Sequence, residues 1–247
     1  MSDGVGMRVA LVTGAGRRVG RAIALDLAAH GWAVAVHHHA SATDARAVVD
    51  RIRGAGGQAE AFAADLTEAT AVDALIPAAA AWRGRLDALV CSAAGMVRTP
   101  IGSTTAAMVD EILALNLRAP FLLGQGAAAH LSDGGAIVFI GDHMADEVWP
   151  DFAVHGVAKA GVHALTRHLA AALAPRVRVN AVAPGLVLPP TGMPPSALER
   201  FVAATPLARA GDPSDVSQAV RFLLDAPYIT GEVLAVDGGR HLGSNHL

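Results

Sequence analysis

Three side chains in the second half of the chain have the types and the spacing of an acid–base site. His155 and Lys159 are four residues apart in a predicted helix over residues 151–174, so both lie on one face of that helix. Asp142 directly follows a predicted strand over residues 136–141. An imidazole exchanges protons near neutral pH, which makes His155 a candidate proton donor. A nearby Lys159 ammonium favours the neutral ring and a nearby Asp142 carboxylate the charged ring, and the sequence leaves this balance open.

A cluster of glycines has the character of a phosphate-binding loop. Gly14, Gly16 and Gly20 lie where a predicted strand over residues 7–13 turns into a predicted helix over residues 18–30. Glycines at such a turn allow a pyrophosphate to approach the N-terminus of the helix. The spacing G-x-G-x-x-x-G is one residue longer than the commonest dinucleotide fingerprint. A tight turn without a ligand is the alternative, but the position after the first strand of an α/β chain favours a dinucleotide site.

The end of the second predicted strand, over residues 33–38, indicates which nicotinamide dinucleotide is bound. An acidic residue there would bind the ribose 2′-hydroxyl, but the first acid after His37–His39 is Asp44. No carboxylate is therefore present to repel a 2′-phosphate, and the sequence favours NADPH over NADH. The three histidines are alternatively surface residues; they do not form a zinc site, because adjacent strand residues point to opposite faces. The residues predicted to hold the phosphate are Arg17, Arg18, His39 and Ser41.

Strands and helices alternate over the whole chain. Short apolar runs without polar alternation are typical of strands that helices cover on both faces. The pattern predicts a single-domain α/β fold over residues 1–247, a Rossmann-type doubly wound parallel sheet of about seven strands with helices on both faces. The predicted strands cover residues 7–13, 33–38, 58–63, 86–92, 136–141, 177–183 and 233–236. The predicted helices cover residues 18–30, 43–54, 69–82, 105–131, 151–174 and 212–224, and a long loop at about 184–210 is predicted to contact substrate.

The composition excludes several classes of protein. The chain has 247 residues, and 53% of them are hydrophobic, which excludes a disordered protein. Its formal charge is −3, so it lacks the positive charge with which a protein binds nucleic acid or an anionic membrane. One cysteine, Cys91, excludes an intramolecular disulfide framework and a multi-cysteine zinc module, and no metal site is predicted. No apolar run reaches about 18 residues, and residues 1–7 lack the apolar core of a secretory signal. We therefore expect a cytoplasmic protein without a membrane span.

Taken together, these residues resemble the short-chain dehydrogenase/reductase family from about Met7 to Arg240. The resemblance implies a nicotinamide dinucleotide bound in the Rossmann cleft, a catalytic Asn116 in a helix, and Lys159 on the ribose. It also implies an assembly of two or four copies, in which two long helices pack on a partner. The motifs that carry the resemblance are Thr13–Gly20, Ala64–Leu66, Cys91–Ala93, Asn116–Phe121, Pro184–Gly185 and Val236–Gly239. The cofactor-binding residues that it implies are Gly14, Gly16, Arg17, Arg18, Val19, Gly20, His38, His39, Ser41, Asp65, Leu66, Ser92, Ala93, Lys159, Pro184 and Gly185.

Within this family the chain looks most like the pteridine reductase-type branch, with two departures. The residues that support this branch are Thr13–Gly20, His37–Ser41 and Asp142, which stands where most relatives have a serine. The first departure is that the family signature Tyr-x-x-x-Lys here reads His155 to Lys159. Met96 stands where pteridine reductases stack the pterin on an aromatic ring, and a methionine offers a softer contact. The residues predicted to line the substrate pocket are Met96, Trp149, Phe152 and Leu186.

The function predicted from these observations is NADPH-dependent reduction of a C=N or C=O bond in a small, cyclic substrate. His155, Lys159, Asp142 and Asn116 are the predicted catalytic residues. Two alternatives remain open at this point. One is a non-redox acid–base enzyme, such as a cyclase or isomerase; the other is a pseudoenzyme that binds nucleotide without turnover.

Overall fold

Seven short strands pair in parallel into one sheet. The computed structural model describes residues 6–189 and 192–243. The strand order across the sheet is β3-β2-β1-β4-β5-β6-β7, which confirms the predicted Rossmann-type fold. The strands are β1 (Val9–Val12), β2 (Ala33–His38), β3 (Ala59–Ala63), β4 (Leu86–Cys91), β5 (Leu131–Ile140), β6 (Val177–Pro184) and β7 (Val233–Val236).

Helices cover both faces of the sheet and enclose two apolar cores. In the described residues the α-helices are α1 (Arg18–Ala29), α2 (Ala42–Gly54), α3 (Ala69–Arg83), α4 (Ala106–Leu113), α5 (Ala119–Ala128), α6 (Ala153–Leu173), α7 (Pro195–Ala203) and α8 (Pro213–Asp225). Helices α1, α2 and α8 bury residues such as Ile23 against Val12 on one face. Helices α3, α5 and α6 bury residues such as Ile76 against Leu11 on the other. The neighbouring residues Leu11 and Val12 of β1 thus point into opposite cores, and because both faces of the strand are buried, its sequence is a continuous apolar run. None of these helices combines the length and the apolarity needed to cross a bilayer.

The carboxyl ends of the strands define where a ligand can bind. The chain winds outward from β1 to β3 in one direction and from β4 to β7 in the other, so the winding reverses between β1 and β4. In such sheets the crevice beyond the carboxyl ends at the reversal is the usual ligand site. The segments after β1, β4, β5 and β6 all meet there, and they carry the glycine loop, Ser92, Asp142 and Gly185.

The structure corrects the prediction in two segments. The helix predicted over residues 105–131 is instead α4, one π-helical turn over Ala114–Arg118, and α5, after which β5 already begins at Leu131. The loop predicted over residues 184–210 contains α7, which begins at Pro195, and proline is well tolerated in a first helical turn. Pro190 and Thr191 of that loop, and both ends of the predicted domain 1–247, lie outside the described residues.

Candidate active site

One cavity of about 990 Å³ opens at the carboxyl ends of the strands. It runs from the glycine loop after β1, past the β4 end, to the segments after β5 and β6. The predicted residues that line it are Gly14, Arg17, Arg18, Val19, Gly20, His39, Asp65, Leu66, Ser92, Ala93, Met96, Asp142, Trp149, His155, Lys159, Pro184, Gly185 and Leu186. The predicted residues that do not line it are Gly16, His38, Ser41, Asn116 and Phe152.

The glycine loop is packed too tightly for side chains at two positions. Gly14 has a φ of +64°, and a Cβ on it would lie 2.9 Å from the Ala93 Cα. A Cβ on Gly20 would lie 2.4 Å from the Gly14 carbonyl oxygen, so α1 begins directly against the loop. No side chain caps the N-terminus of α1, and its first turn contains no acidic residue. These N–H groups form a site suited to an anion.

His37 holds the glycine loop in place. Its Nδ1 accepts a hydrogen bond from the Gly14 N–H at 3.1 Å, so that the proton is on Nε2, which donates to the Ala64 carbonyl at 3.1 Å. Burial lowers the pKa of His37 to about 4, and the ring is therefore neutral at physiological pH. His37 lines the cavity and joins the loop after β1 to the turn after β3.

At the predicted adenosine end of the cleft, most of the charged groups are already paired. Arg17 forms an ion pair with Asp44, and the His39 Nε2 lies 3.5 Å from the Asp65 carboxylate. Arg18 instead donates to the Leu188 carbonyl at 2.7 Å and has no carboxylate partner among the described residues. Arg18 is therefore the cation with the most unneutralised charge on this loop.

Three of the predicted cofactor-binding residues, Gly16, His38 and Ser41, lie behind the cavity wall. The His38 Nδ1 contacts the His39 carbonyl at 2.9 Å, and its ring is buried. Because side chains alternate along a strand, His37 and His39 face the cleft and His38 faces away. Ser41 packs against Gly16, where an added Cβ would lie 3.2 Å from the serine Oγ.

His155 lies in the cavity wall with a hydrogen-bond acceptor at each ring nitrogen. Its Nδ1 is 3.3 Å from the Gly95 carbonyl oxygen, and its Nε2 is 3.3 Å from the Asp142 Oδ2. The ring is almost completely buried. Only the imidazolium can donate from both nitrogens, so this geometry suits the charged ring.

Asp142 is shared between two imidazoles. Its Oδ1 accepts the Met144 N–H at 2.9 Å and lies 3.1 Å from the His143 Nδ1, while its Oδ2 contacts His155. Burial raises the pKa of the Asp142 carboxyl, but hydrogen bonds from His143 and His155 outweigh it and bring the pKa well below its usual range. Asp142 is therefore a carboxylate that stabilises neighbouring cations.

Lys159 and Asn116 support the site from two sides. The Lys159 Nζ donates to the Ile140 carbonyl at 2.8 Å, and burial lowers the pKa of this lysine against the opposing charge of Asp142. Asn116 lies in the π-helical turn and holds both backbone groups of Gly95, with its Nδ2 on the carbonyl at 3.0 Å and its Oδ1 on the N–H at 3.2 Å. Asn116 thus fixes the carbonyl that faces His155 Nδ1.

The far end of the cavity has an apolar wall. Met96, Trp149 and Leu186, which the sequence assigns to a substrate pocket, line this end of the cavity, and Phe201 of α7 adds a second aromatic ring. Phe152 packs behind Trp149, with the ring centroids 6.3 Å apart. A flat, mostly apolar molecule with few polar groups suits this end.

Comparison with known proteins agrees with this architecture. A family profile described as Enoyl-(Acyl carrier protein) reductase matches residues 14–241. An uncharacterized oxidoreductase of Methylorubrum extorquens is 39% identical, covering 94% of this chain and 97% of the relative. The chain belongs to the short-chain dehydrogenase/reductase family. A hydroxynaphthalene reductase-like protein Arp2 of Metarhizium brunneum is 35% identical, with 94% of each chain covered. The crystal structure of the angucycline C-6 ketoreductase LanV with bound NADP has a TM-score of 0.90 at 32% identity, with 96% of each chain covered.

His37, His143 and Phe201 are among the cavity residues of this short-chain dehydrogenase/reductase that were not predicted from the sequence. His37 shares a strand face with His39, so the period of two along β2 was an available signal. Phe201 lies on α7, which the analysis assigned to a loop. His143 follows Asp142 directly, and no sequence pattern indicated that it contacts that carboxylate.

Proposed function

We propose that this short-chain dehydrogenase/reductase is an NADPH-dependent reductase of a C=O or C=N bond in a small, cyclic substrate, with His155 as the proton donor. The observation that carries the proposal is the His155 ring in the cavity wall, with an acceptor at each nitrogen. Hydride addition to such a bond leaves a negative charge or a lone pair on the heteroatom, and an acid within reach must protonate it. His155 takes the place that tyrosine holds in the family signature.

The residues at the predicted cofactor end fit a dinucleotide. The uncapped N-terminus of α1 and the side-chain-free Gly14 and Gly20 would hold the pyrophosphate. Arg18 and His39 would hold a 2′-phosphate, with a smaller contribution from Arg17 because Asp44 already neutralises it. The dinucleotide, when bound, supplies the hydride. The bound NADP in the related LanV structure supports the choice of NADPH.

The hydrogen bonds of His155 indicate which ring proton would leave. The Gly95 carbonyl accepts from Nδ1 in either protonation state, because it has no proton of its own to give. The mobile proton is therefore the one on Nε2. Its contact with Asp142 is long, at 3.3 Å, and the substrate heteroatom would have to take over this N–H as acceptor for the proton to pass to it. Asn116 fixes the Gly95 carbonyl and so keeps the remaining proton on Nδ1. Lys159, held by the Ile140 carbonyl, would bind the ribose of the cofactor.

The substrate that suits this site is a flat ring compound. The apolar wall formed by Met96, Trp149 and Phe201 would contact the ring. Imines are more basic than ketones and are partly protonated before they bind. The rate of C=N reduction therefore depends less on the proton donor than the rate of C=O reduction does, and replacing tyrosine by histidine should slow it less. The pteridine reductase-type motifs favour a nitrogen heterocycle, whereas the names of Arp2 and LanV favour a cyclic ketone. The family profile is named for an enoyl reductase, which makes a conjugated C=C bond a second candidate.

The contacts of Asp142 disfavour the non-redox alternative. A cyclase or isomerase that used Asp142 as a base would need a carboxylate that takes up a proton readily. Here hydrogen bonds from His143 and His155 bring the pKa of Asp142 well below its usual range, so this carboxylate is a weak base. Both a reductase and a nucleotide-binding pseudoenzyme would bind NADPH, so a binding measurement distinguishes them only together with an assay of turnover.

The test is NADPH oxidation at 340 nm with a panel of cyclic imines, dihydropterins, bicyclic ketones and cyclic enoyl thioesters. We expect turnover with at least one cyclic imine or ketone, and a larger thermal shift with NADPH than with NADH. NADPH binding with no turnover over the whole panel would support the pseudoenzyme instead. Failure to bind either dinucleotide would exclude the reductase.

Variants at His155 test the proton donor. His155→Ala removes the acid, and we expect a loss of about 10²–10⁴-fold in kcat with an unchanged dissociation constant for NADPH. His155→Tyr restores the family signature, and we expect it to gain activity on ketones. Exposed His30 provides the control, since His30→Asn changes a histidine far from the cavity. Unchanged turnover in His155→Ala would remove this residue from the mechanism.

We also propose that the protein is a homo-oligomer of two or four copies. Helix α5 exposes Phe121 and helix α6 exposes Val157, two apolar side chains on the helices that the family packs against a partner. Apolar residues exposed on neighbouring helices are typical of association surfaces.

A further inference from the structure

His143 links the candidate catalytic residues to the C-terminal turn of the protein. The ring is nine-tenths buried, and both of its nitrogens face carboxylates. Its Nδ1 lies 3.1 Å from Asp142 Oδ1 and 3.2 Å from the Pro184 carbonyl. Its Nε2 lies 3.7 Å from Glu147 Oε2 and has no hydrogen-bond partner among the described residues.

Glu147 is itself anchored by Arg240. The guanidinium makes two hydrogen bonds to the carboxylate, at 2.7 and 2.6 Å, from a turn at the opposite end of the chain from the glycine loop. Hydrogen bonds from Arg240 lower the pKa of Glu147, which stays ionised. Charges therefore alternate along one chain of contacts: Arg240, Glu147, His143, Asp142, His155.

Packing fixes the His143 ring in this chain of charges. The rings of Trp149 and Phe201 meet it edge-on, with centroids 5.8 and 5.9 Å away and interplanar angles of 84° and 81°. Arg240 lies over the Phe201 ring at 4.0 Å. The ring cannot rotate without disturbing these contacts, so its Nδ1 stays on Asp142.

The charge of His143 follows from its neighbours. Burial lowers the pKa of His143, but hydrogen bonding to Asp142 and the charges of Asp142 and Glu147 outweigh burial and raise it. Glu147 and Arg240 face the ring on one side. Asp142 faces it on the other, and beyond that carboxylate are the cationic or titratable groups of α6, namely His155, Lys159 and His163.

We propose that His143 is a positioning residue that holds the Asp142 carboxylate in line with His155 and, as a second cation on that carboxylate, limits how strongly Asp142 retains the His155 proton. This inference rests on the proposed function of His155. Without His143, Asp142 Oδ1 keeps only the Met144 N–H as a partner, so the carboxylate is held less firmly and its full charge acts on His155. The donor then holds its proton more tightly and is less well oriented.

Two variants separate these effects. His143→Asn cannot carry a charge, but its amide can still donate to Asp142 or to the Pro184 carbonyl. His143→Phe keeps the aromatic packing and removes the donor as well. His30→Asn is the matched control, since His30 also lies beside a carboxylate, Asp26, at 3.6 Å but outside the cavity.

The first readout is the pH profile of kcat/KM for NADPH-dependent reduction. We expect the alkaline fall to move up by about one pH unit in both variants, because one charge on the shared carboxylate is gone. We expect kcat near neutral pH to fall by about 10–100-fold in His143→Phe and by less in His143→Asn, with KM nearly unchanged. Profiles of both variants that superimpose on that of the wild type and of His30→Asn would overturn the proposal.

The second readout does not depend on turnover. Histidine ring ¹⁵N NMR of the protein without added ligand reports the charge of each imidazole directly. We expect His143 to stay protonated above the ordinary range of a histidine, and Glu147→Gln to lower the pH at which it loses its proton. A neutral His143 ring at pH 6 would overturn the proposal, whereas the expected spectra from a protein that turns over no substrate would refute only the proposed reduction.

Discussion

The neutral His37 ring predicts a specific loss of stability in mild acid. Its Nδ1 accepts the Gly14 N–H, and an imidazolium has no lone pair with which to do so. We therefore expect the protonation of His37 to oppose the native glycine loop. The informative change is His37→Asn, whose side-chain oxygen can still accept from Gly14 but does not titrate.

The sign and the size follow from the two pKa values of His37. The unfolded chain takes up a proton at the ordinary value of 6.5, whereas the folded protein does so at about 4. Between these values the unfolded state binds more protons, so the free energy of unfolding falls as the pH falls. At about 1.4 kcal/mol per pKa unit, His37 alone costs roughly 2 kcal/mol between pH 7 and pH 5, and about 3 kcal/mol by pH 4.

The assay is urea unfolding followed by tryptophan fluorescence at several pH values from 7 to 5. Other groups titrate in this range, so the quantity that matters is the difference between wild type and His37→Asn at each pH. We expect the wild type to lose about 2 kcal/mol more than the variant over this range. His38→Asn, on the same strand but turned away from the cleft, is the control and should follow the wild type.

The reasoning would be refuted by a difference between wild type and His37→Asn that stays constant from pH 7 to pH 5. That result would mean that His37 is charged in the folded protein or that the Gly14 contact is absent. If His37→Asn loses the same free energy of unfolding as the wild type between pH 7 and pH 5, the effect belongs to another group. His163 is such a group, because burial lowers its pKa as well.

Three further predictions concern the cleft, the acid and the assembly. Gly20→Ala places a methyl group 2.4 Å from the Gly14 carbonyl, so we expect a loss of about 1–3 kcal/mol in urea unfolding and no thermal shift with NADPH; a full shift would contradict it. Asp142→Asn removes the anion beside His155, and we expect NADPH oxidation to slow by about 10–100-fold while calorimetry gives an unchanged affinity for NADPH. Phe121→Glu places a charge on the exposed face of α5, and light scattering should show a smaller particle than the wild type; an unchanged mass would exclude that face from the interface.

The sheet could be predicted from the sequence because burial on both faces leaves a simple pattern. The runs that form β2 and β7 were predicted with the bounds that the structure has, and the strand order follows from right-handed crossovers. The break at Ala114–Arg118 could not be predicted in this way. A π-helical turn adds one residue and so shifts the helical periodicity, but α4 and α5 are so rich in apolar residues that the shift leaves no visible break in the pattern.

The site was predicted only in part, for a different physical reason. A glycine cluster and a pair of residues four apart on a helix can be recognised from neighbouring positions in the sequence. Gly14, Gly20, His155 and Lys159 were found in this way, and all four line one cavity. The partners of Asp142 depend on how distant segments pack. Nothing in the order of residues indicates that an arginine 93 positions after Glu147 lies beside it.

That long-range ion pair has a consequence for the order of folding. Arg240 follows β7, so Glu147 lacks this partner until β7 has joined the edge of the sheet. An intermediate without β7 would already contain the glycine loop and α6, while the Glu147 carboxylate beside His143 is still unanchored. We therefore expect the pairing of the last edge strand and the final ordering of this wall of the cavity to occur together.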